Sequence, residues 1–272
     1  MKSSDIDIPI LSPGKEEHIM NYNYHTHTYL CNHAAGTPEE YVQKAIEAGI
    51  IRMGFSDHMP HRFKNGLESH YRVPVSMAEE YVNEINSLKE KYKDKIDIIL
   101  GFEMEYFEDV FDDMLQNAKN YGAEYLIYGG HYSREEGVYN GSPAEDETLL
   151  KEYVSNVISA INTGVFTYIA HPDLINFKGD EEIYRNEMIK ICKASKEKGI
   201  PLEINFLGIR INRHYPNEKF WALAGEVKCP VTFGFDAHDP EGAGDLKSLK
   251  KAMEIVEKYS LNYIGEPRLI YL

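Results

Sequence analysis

A regular alternation of two residue patterns runs through this 272-residue chain and constrains its fold more than any other feature. Short runs rich in aliphatic, aromatic and β-branched residues alternate with longer segments whose apolar residues recur every three or four positions. The first pattern is typical of buried strands, and the second is typical of helices that cover a sheet. The predicted strands are 21–25, 51–56, 96–103, 124–131, 166–171, 201–206 and 230–236.

Helical segments are predicted between these strands, and the clearest is 37–49. Thr37 stands at its N-cap, Pro38 lies in its first turn, Glu40 takes the capping-box position and Gly49 ends it. The other predicted helices are 76–92, 108–122, 145–164, 180–199 and 244–259.

About seven βα units in series indicate an α/β protein with a parallel sheet. Because no Gly/Ser-rich linker or change of composition interrupts them, we expect one domain over residues 1–272, with 1–20 as an N-terminal extension. Seven or eight such units favour a closed (β/α) barrel of the TIM type. A doubly wound open sheet is the alternative.

Composition excludes several classes of protein. The chain has 29 basic and 44 acidic residues, and this net charge of −15 argues against nucleic-acid binding through phosphate contacts. A small phosphorylated substrate stays possible if some part of the site is strongly positive. No apolar run reaches the roughly 20 residues that a membrane helix requires. The N-terminus also lacks a secretory signal, so we expect a cytoplasmic protein with no membrane partner. Nothing indicates an oligomeric state.

The cysteines do not predict a disulfide framework or a thiolate zinc site. Cys31, Cys192 and Cys229 are odd in number and widely spaced, and no CxxC motif is present. Cys31 lies within a group of histidines, but we expect it to be a bystander there.

Imidazole and carboxylate side chains stand at the carboxyl ends of most predicted strands, in a set that spans more than 200 positions. In a parallel barrel all of these ends lie at one face, where active sites are found. The strand-end residues are His25, His27, His58, Glu103, His131, His171, Asp236 and His238, and His33 follows soon after the first pair.

Each of these residues has an ordinary explanation when it is taken alone. His25 and His27 suit a solvent-facing strand, His171 before a proline suits a turn, Glu103 suits a surface and His131 suits a core. All of these explanations must hold at once if there is no common site. A shared metal site is therefore the simpler hypothesis.

The composition of this set predicts the kind of metal. Imidazole with a few carboxylates favours zinc, iron, manganese or cobalt over calcium or magnesium, which prefer oxygen ligands. Nine ligands are too many for one ion, so we expect two to three divalent transition-metal ions (zinc, iron or manganese) and a bridging glutamate. A structural zinc site is the alternative, but such sites are usually closed and rich in cysteine. We therefore favour a hydrolytic cluster.

Several motifs together resemble those of the polymerase-and-histidinol-phosphatase (PHP) superfamily, and of its histidinol-phosphatase branch in particular. They are "YHTHTYLCNHAAGT", "GFSDH", "GFEMEY", "GGHY", "AHPD", "EIN" and "GFDAH", in this order. The resemblance implies a distorted seven-stranded (β/α) barrel of the PHP type with a trinuclear metal centre. It implies three ligand groups: His25, His27, Glu103 and Asp236; then Glu103, as a bridge, with His131 and His171; then His33, His58 and His238.

The resemblance also implies an activity, the hydrolysis of L-histidinol phosphate in histidine biosynthesis, with Glu103 and Asp236 holding the catalytic ions. Another PHP phosphoesterase, acting on nucleotides, sugar phosphates or phosphotyrosine, is one alternative. A non-catalytic metal-binding module is the other. In any of these cases two or three divalent ions would leave the site positive, because only two carboxylates are among the ligands.

Further residues are expected to bind the substrate or move protons. Arg210 resembles the phosphate-binding arginine of the family, and Arg213 is its fallback. Glu105 or Asp239 would select a cationic substrate. His61, or an outer-shell water, would protonate the leaving group.

Overall fold

The computed structural model describes residues 20–134 and 137–272, and it shows an α/β fold with eight parallel strands. Residues 1–19 of the predicted N-terminal extension lie outside the described residues, whereas Met20 is buried. The strands are β1 (Tyr22–Asn23), β2 (Arg52–Phe55), β3 (Asp97–Met104), β4 (Tyr125–Gly129), β5 (Phe166–Ala170), β6 (Leu202–Asn205), β7 (Pro230–Gly234) and β8 (Asn262–Tyr263). All seven predicted strands are present, and β8 is additional.

Each strand of the sheet pairs with the next one along the chain, in the order β1 to β8. A doubly wound sheet would need a reversal in this order, so that alternative is wrong and the TIM-like prediction is confirmed. The chain after β1 meets the chain after β7. His27 N–H donates to the Ala237 carbonyl (2.9 Å), and Ala237 N–H donates to the His25 carbonyl (3.1 Å). Two segments with predicted ligands are thus joined directly.

Nine helices lie in the described parts of the chain. They are α1 (Pro38–Glu47), α2 (Ala78–Tyr92), α3 (Phe111–Asn120), α4 (Glu147–Thr163), α5 (Glu181–Lys198), α6 (Phe206–Arg210), α7 (Glu218–Val227), α8 (Pro240–Ala243) and α9 (Lys247–Lys258). The six predicted helices are confirmed, and the capping box of Thr37 and Glu40 is present. Sequence analysis missed α6, α7 and α8. No helix within these same residues has the length and the apolar character that crossing a bilayer requires.

One buried tyrosine ties four strands together below the predicted site. Tyr125 is inaccessible to solvent, and its hydroxyl donates to the Tyr24 carbonyl (2.8 Å). A Cβ atom at Gly54 or at Gly101 would lie 2.1 or 2.3 Å from this side chain. Glycine in β2 and β3 therefore gives the ring its space, and the close packing fixes the positions of the neighbouring strand ends.

Candidate metal centre

The carboxyl ends of the strands bring most of the predicted ligands together. His25 and His27 follow β1, His58 follows β2, and Glu103 is the penultimate residue of β3. His131 follows β4, His171 follows β5, and Asp236 and His238 follow β7. Side chains from six parts of the chain thus meet at one pole of the barrel, and all but His238 are buried. His33 lies at the exposed rim of the group.

Glu103 lies at the centre of the group, and each of its carboxylate oxygens faces different imidazoles. Its Oε1 lies 2.9 Å from His171 Nε2 and 3.5 Å from His131 Nε2. Its Oε2 lies 3.2 Å from His58 Nδ1, 3.5 Å from His27 Nε2 and 3.6 Å from His25 Nε2. This two-sided arrangement is what a bridging carboxylate requires.

Asp236 forms a second focus of the group. Its Oδ1 lies 3.1 Å from His238 Nδ1, 3.3 Å from His27 Nε2 and 3.6 Å from His25 Nε2. Asp236 and His171 both have positive φ angles, of 47° and 30°. Such backbone conformations are costly outside glycine, and they are found where the surrounding structure enforces a functional geometry.

The donor atoms fit divalent cations. Several buried side-chain atoms in the cluster have no hydrogen-bond partner among the described residues. A buried polar atom without a partner is destabilising. These atoms are His25 Nε2, both ring nitrogens of His27, His58 Nδ1, both oxygens of Glu103, His171 Nδ1 and Asp236 Oδ1. Coordination to metal ions would satisfy the carboxylate oxygens and one nitrogen of each ring.

Several groups of donors are compact, with all ligand atoms of a group within 4.8 Å of one another, and three of them are built from predicted ligands alone and share His25 or His27. These groups are His25–His27–Asp236, His25–Glu103–His171 and His27–His58–His238. The chain therefore contains candidate metal-binding clusters at the predicted pole. They overlap the ligand groups that the family resemblance implies, although their members are divided differently.

Hydrogen bonds to Nδ1 orient several of the imidazoles. His33 Nδ1 lies 2.7 Å from the Cys31 carbonyl, and His25 Nδ1 lies 2.7 Å from a carboxylate oxygen of Glu203. A proton on Nδ1 leaves Nε2 free as a metal ligand. Glu203 begins the "EIN" motif, but no role was predicted for it, because no local pattern indicates its contact with a residue near the N-terminus.

Glu105, predicted to bind the substrate, instead lies buried below the cavity. Its oxygens accept hydrogen bonds from Arg72 (2.7 Å) and from the Tyr71 hydroxyl (2.5 Å), and His131 Nδ1 lies 3.2 Å away. Burial tends to raise the pKa of Glu105, but Arg72 and His131 lower it to about 2. Glu105 thus orients a predicted ligand, and the structure does not place it where a substrate amine could reach.

The charges of the cluster are strongly coupled. Burial tends to lower the pKa of His25, yet Glu203, Asp236 and Glu103 raise it to about 10. The pKa of His27 is likewise raised, against its burial, by Asp236 and Asp57. Without metal, these two imidazoles therefore carry protons that balance the buried carboxylates.

The pKa values of His33 and Glu103 are lowered instead. Burial, with His238 and His27 nearby, lowers the pKa of His33 to about 4. Burial tends to raise the pKa of Glu103, but the neighbouring imidazoles, His131 first, hold it well below its usual range. His33 is therefore neutral and Glu103 ionised at neutral pH, as metal coordination requires.

A cavity of about 320 Å³ opens above the cluster. Tyr71, Tyr132, Tyr139 and Tyr215 line it together with several of the histidines. Among the described residues, Arg213 is the one arginine or lysine in the lining, and its guanidinium donates to the Tyr215 hydroxyl (2.8 Å). The cavity therefore offers a cation and aromatic surface facing the candidate metal positions.

Arg210, the predicted phosphate-binding residue, does not line this cavity. Its guanidinium pairs with Asp245 (3.0 Å) and donates to the carbonyls of Phe235 (3.3 Å) and Asp236 (3.2 Å). These contacts hold the end of β7 in place. The fallback residue, Arg213, is thus the better placed of the two for binding phosphate.

His61 and Asp239 also lie away from their predicted positions. His61 is 7% exposed and lines a separate cavity of about 330 Å³ with Asp113 and Tyr121, so its location does not support a role as the general acid. Asp239 caps α8 by accepting a hydrogen bond from Gly242 N–H (2.7 Å).

Cys31, expected to be a bystander, is fully buried inside the histidine cluster. Its sulfur lies within 4.8 Å of ligand atoms of His33 and His238, and of His27 and Asp57. Its position is therefore that of a neighbour to several ligands, and its carbonyl orients His33.

Comparison with known proteins places this arrangement in a family. A model of the PHP domain matches residues 23–206, which is more than half of the chain. A probable histidinol-phosphatase of Deinococcus radiodurans is 29% identical over 231 residues, covering 81% of this chain and 87% of the relative. The histidinol-phosphatase of Bacillus subtilis is 25% identical over 258 residues, covering 82% of this chain and 94% of the relative.

A solved structure agrees with the fold. Histidinol phosphate phosphatase of Lactococcus lactis, complexed with zinc, L-histidinol and phosphate, has a TM-score of 0.68 to this chain. The sequence identity is 21%, and the alignment covers 90% of this chain and 95% of that one, so the likeness shows a shared fold. The resemblance drawn from the motifs is confirmed: this chain belongs to the PHP-domain family.

Proposed function

We propose that the chain is a metal-dependent phosphatase that hydrolyses L-histidinol phosphate to L-histidinol and phosphate. The observation that carries the proposal is the convergence of imidazoles and two carboxylates, with unpartnered buried donor atoms, beneath a cavity lined by Arg213. The names of the relatives and the contents of the Lactococcus lactis structure support this substrate.

The proposed site holds two or three divalent ions, of zinc, iron or manganese. Glu103 would hold an ion with His25 and His171, and Asp236 would hold one with His25 and His27. When bound, such ions act as Lewis acids toward phosphate oxygens and generate a nucleophile at neutral pH. They would also give an acidic protein a positive site for a phosphate monoester.

The chain's own residues would bind and orient the substrate. We propose that Arg213 donates to the phosphate from the cavity wall, because a guanidinium matches phosphate geometry. Tyr71, Tyr132 and Tyr139 provide aromatic surface against which a flat imidazole group can pack. Since His61 lies in the separate cavity, solvent is the proposed source of the leaving-group proton.

The test is a comparison of substrates with purified, metal-reconstituted protein. We expect kcat/KM for L-histidinol phosphate to exceed that for p-nitrophenyl phosphate by on the order of 100-fold or more, because p-nitrophenyl phosphate lacks the amine and imidazole groups that a site selective for L-histidinol phosphate would bind. Equal, slow rates on both substrates would contradict the substrate assignment and leave the metal centre to be judged by elemental analysis.

A second candidate is a phosphatase of another aromatic monoester. The tyrosine-rich cavity wall favours it, since stacked aromatic rings do not by themselves distinguish imidazole from phenol. A panel containing phosphotyrosine, nucleotides and sugar phosphates separates the two. Bound metal without hydrolysis of any of these phosphates would point instead to a non-catalytic metal-binding module.

A further inference from the structure

We propose that Glu203 is a positioning residue that fixes His25, His171 and Asp236 in the arrangement that receives the metal ions. The inference rests on the metal centre of the proposed function, and it does not depend on which phosphate ester is hydrolysed. Glu203 lies in β6, on a strand that supplies none of the predicted ligands.

The two oxygens of Glu203 reach two other strand ends directly and a third through Asn205. Oε1 lies 2.7 Å from His25 Nδ1, and Oε2 accepts the backbone N–H of His171 (2.9 Å). Oε2 also accepts from Asn205 Nδ2 (2.8 Å), and the same amide nitrogen lies 3.0 Å from Asp236 Oδ2. The carboxylate is fully buried, so these contacts are protected from water.

Glu203 lies on the opposite side of the His25 ring from the candidate metal positions. The Nδ1 edge of the ring faces Glu203, whereas Nε2 faces Glu103 and Asp236, at 3.6 Å from each. Glu203 therefore acts through His25. By accepting a hydrogen bond from Nδ1–H, it holds that proton on Nδ1, so that Nε2 is the nitrogen that a metal ion takes.

The hydrogen-bond requirements at this position exclude glutamine. Both oxygens of Glu203 accept, since His25 Nδ1 points to one, and the His171 N–H and the Asn205 amide point to the other. A glutamine oxygen facing His25 would turn its NH₂ group toward two donors. In the reverse orientation the NH₂ group would force the His25 proton onto Nε2 and block coordination.

The neighbouring strand makes room for this carboxylate. An ideal Cβ atom at Gly234, in β7, would lie 1.7 Å from Glu203 Oε1. Only glycine leaves the side chain free to cross β7 and reach His25. The packing thus supports the role independently of the hydrogen bonds.

The test measures metal binding and its spectroscopic signature in Glu203→Gln. We expect Co²⁺ affinity at the position that involves His25 to fall by ~10- to 100-fold, the usual cost of losing a residue that orients a ligand. The visible Co²⁺ absorption should change as well. The His27–His58–His238 group has no contact with Glu203, so ions bound there should remain.

A matched control is Glu124→Gln. Glu124 also accepts from a backbone N–H (Leu100, 3.1 Å) and from a side chain (Lys89, 2.6 Å), but it lies just before β4, at the opposite pole. This variant should keep wild-type Co²⁺ affinity and absorption. Glu203→Asp keeps two acceptor oxygens on a shorter side chain and should be intermediate.

Wild-type Co²⁺ affinity and absorption in folded Glu203→Gln would overturn the proposal. If Glu203→Gln does not fold, Glu203→Asp decides, because unchanged metal binding in that variant would also overturn it. A wild-type protein that binds no divalent ions would do the same. Metal binding without phosphate hydrolysis would contradict the proposed function alone, since the Glu203 measurements do not use turnover.

Discussion

Loading the metal-free centre with Zn²⁺ should expel protons from its histidines. His25 contacts three carboxylates, with Nδ1 2.7 Å from Glu203 and Nε2 3.6 Å from both Glu103 and Asp236. Burial disfavours its charge, but these carboxylates raise its pKa to about 10, and the pKa of His27 is raised as well. At pH 7 both rings are therefore imidazolium, and each must lose a proton before it can coordinate.

The free energy needed to remove the proton from His25 follows from its pKa. Deprotonating a group with a pKa of about 10 at pH 7 costs about 4 kcal/mol, at about 1.4 kcal/mol per pH unit. Apparent zinc affinity should therefore rise about tenfold per pH unit for each proton displaced, between pH 7 and the pKa of the ring.

The stability of the metal-free protein should change in the opposite direction. The folded-state pKa of His25 exceeds its unfolded value of 6.5, so its stabilising contribution is complete below pH 6.5 and is lost as pH rises toward 10. His33, with a pKa lowered to about 4, affects stability only below its unfolded value of 6.5, where falling pH destabilises the fold. Between pH 7 and 9, the melting temperature should therefore fall without metal.

Titration calorimetry measures the proton release directly. Zinc is titrated into metal-free protein at pH 7 in two buffers with different enthalpies of ionisation, and the difference in apparent enthalpy gives the number of protons released. We expect about one from His25 and one from His27. No proton release, together with a zinc affinity that is constant from pH 7 to pH 9, would refute the reasoning.

Four substitutions test other parts of the structure. Arg213→Met should raise KM by ~10- to 100-fold with metal content unchanged, because a hydrogen bond to a charged group contributes about 1.5–3 kcal/mol; an unchanged KM would contradict its role. Arg210→Met should instead lower the free energy of unfolding by about 3 kcal/mol in denaturant melts, since it breaks a mostly buried ion pair. His61→Gln should keep the wild-type kcat, and a large loss of kcat would support His61 as the acid that protonates the leaving group. Gly129→Ala should lose metal in elemental analysis, because its Cβ atom would lie 2.0 Å from Glu103 Oε1.

The end of the barrel at which each predicted ligand lies could be inferred from the sequence, because local patterns define where the strands end. A strand pattern that stops at His131 or His171 places that residue at the carboxyl pole whatever the neighbouring strands contain. Residues far apart in sequence could thus be grouped without knowledge of any contact. The structure places them together with buried, unpartnered donor atoms, as the metal hypothesis requires.

The direction of each side chain could not be inferred in the same way. Arg210 ends the short helix α6, and Arg213 lies three residues beyond it, where the backbone has left the helix. Which of the two faces the cavity depends on the path of this loop and on Asp245, which holds Arg210 away. Met59 and Pro60 separate His61 from His58, and this short stretch has no periodicity from which the direction of the His61 side chain could be inferred.

Long-range hydrogen bonds were also beyond local patterns. Glu203 and His25 are 178 positions apart, and no pattern local to either residue predicts that they are in contact. Glu105 was predicted to select a cationic substrate, but its carboxylate accepts a hydrogen bond from Arg72. The two-residue strand β8 is too short for its alternation to be recognised.

The buried charges imply that metal ions would bind before phosphate. Glu103, Glu203, Asp57 and Asp236 lie within or against the histidine cluster, and none of them is more than 3% exposed. Without metal, protons on imidazoles and the guanidinium of Arg213 offset part of the charge of these carboxylates near the cavity. A phosphate dianion would therefore meet a site of low or negative potential. Divalent ions would replace those protons and reverse the potential, so that in the proposed phosphatase the carboxylates that repel phosphate from the metal-free protein would allow it to bind after the ions.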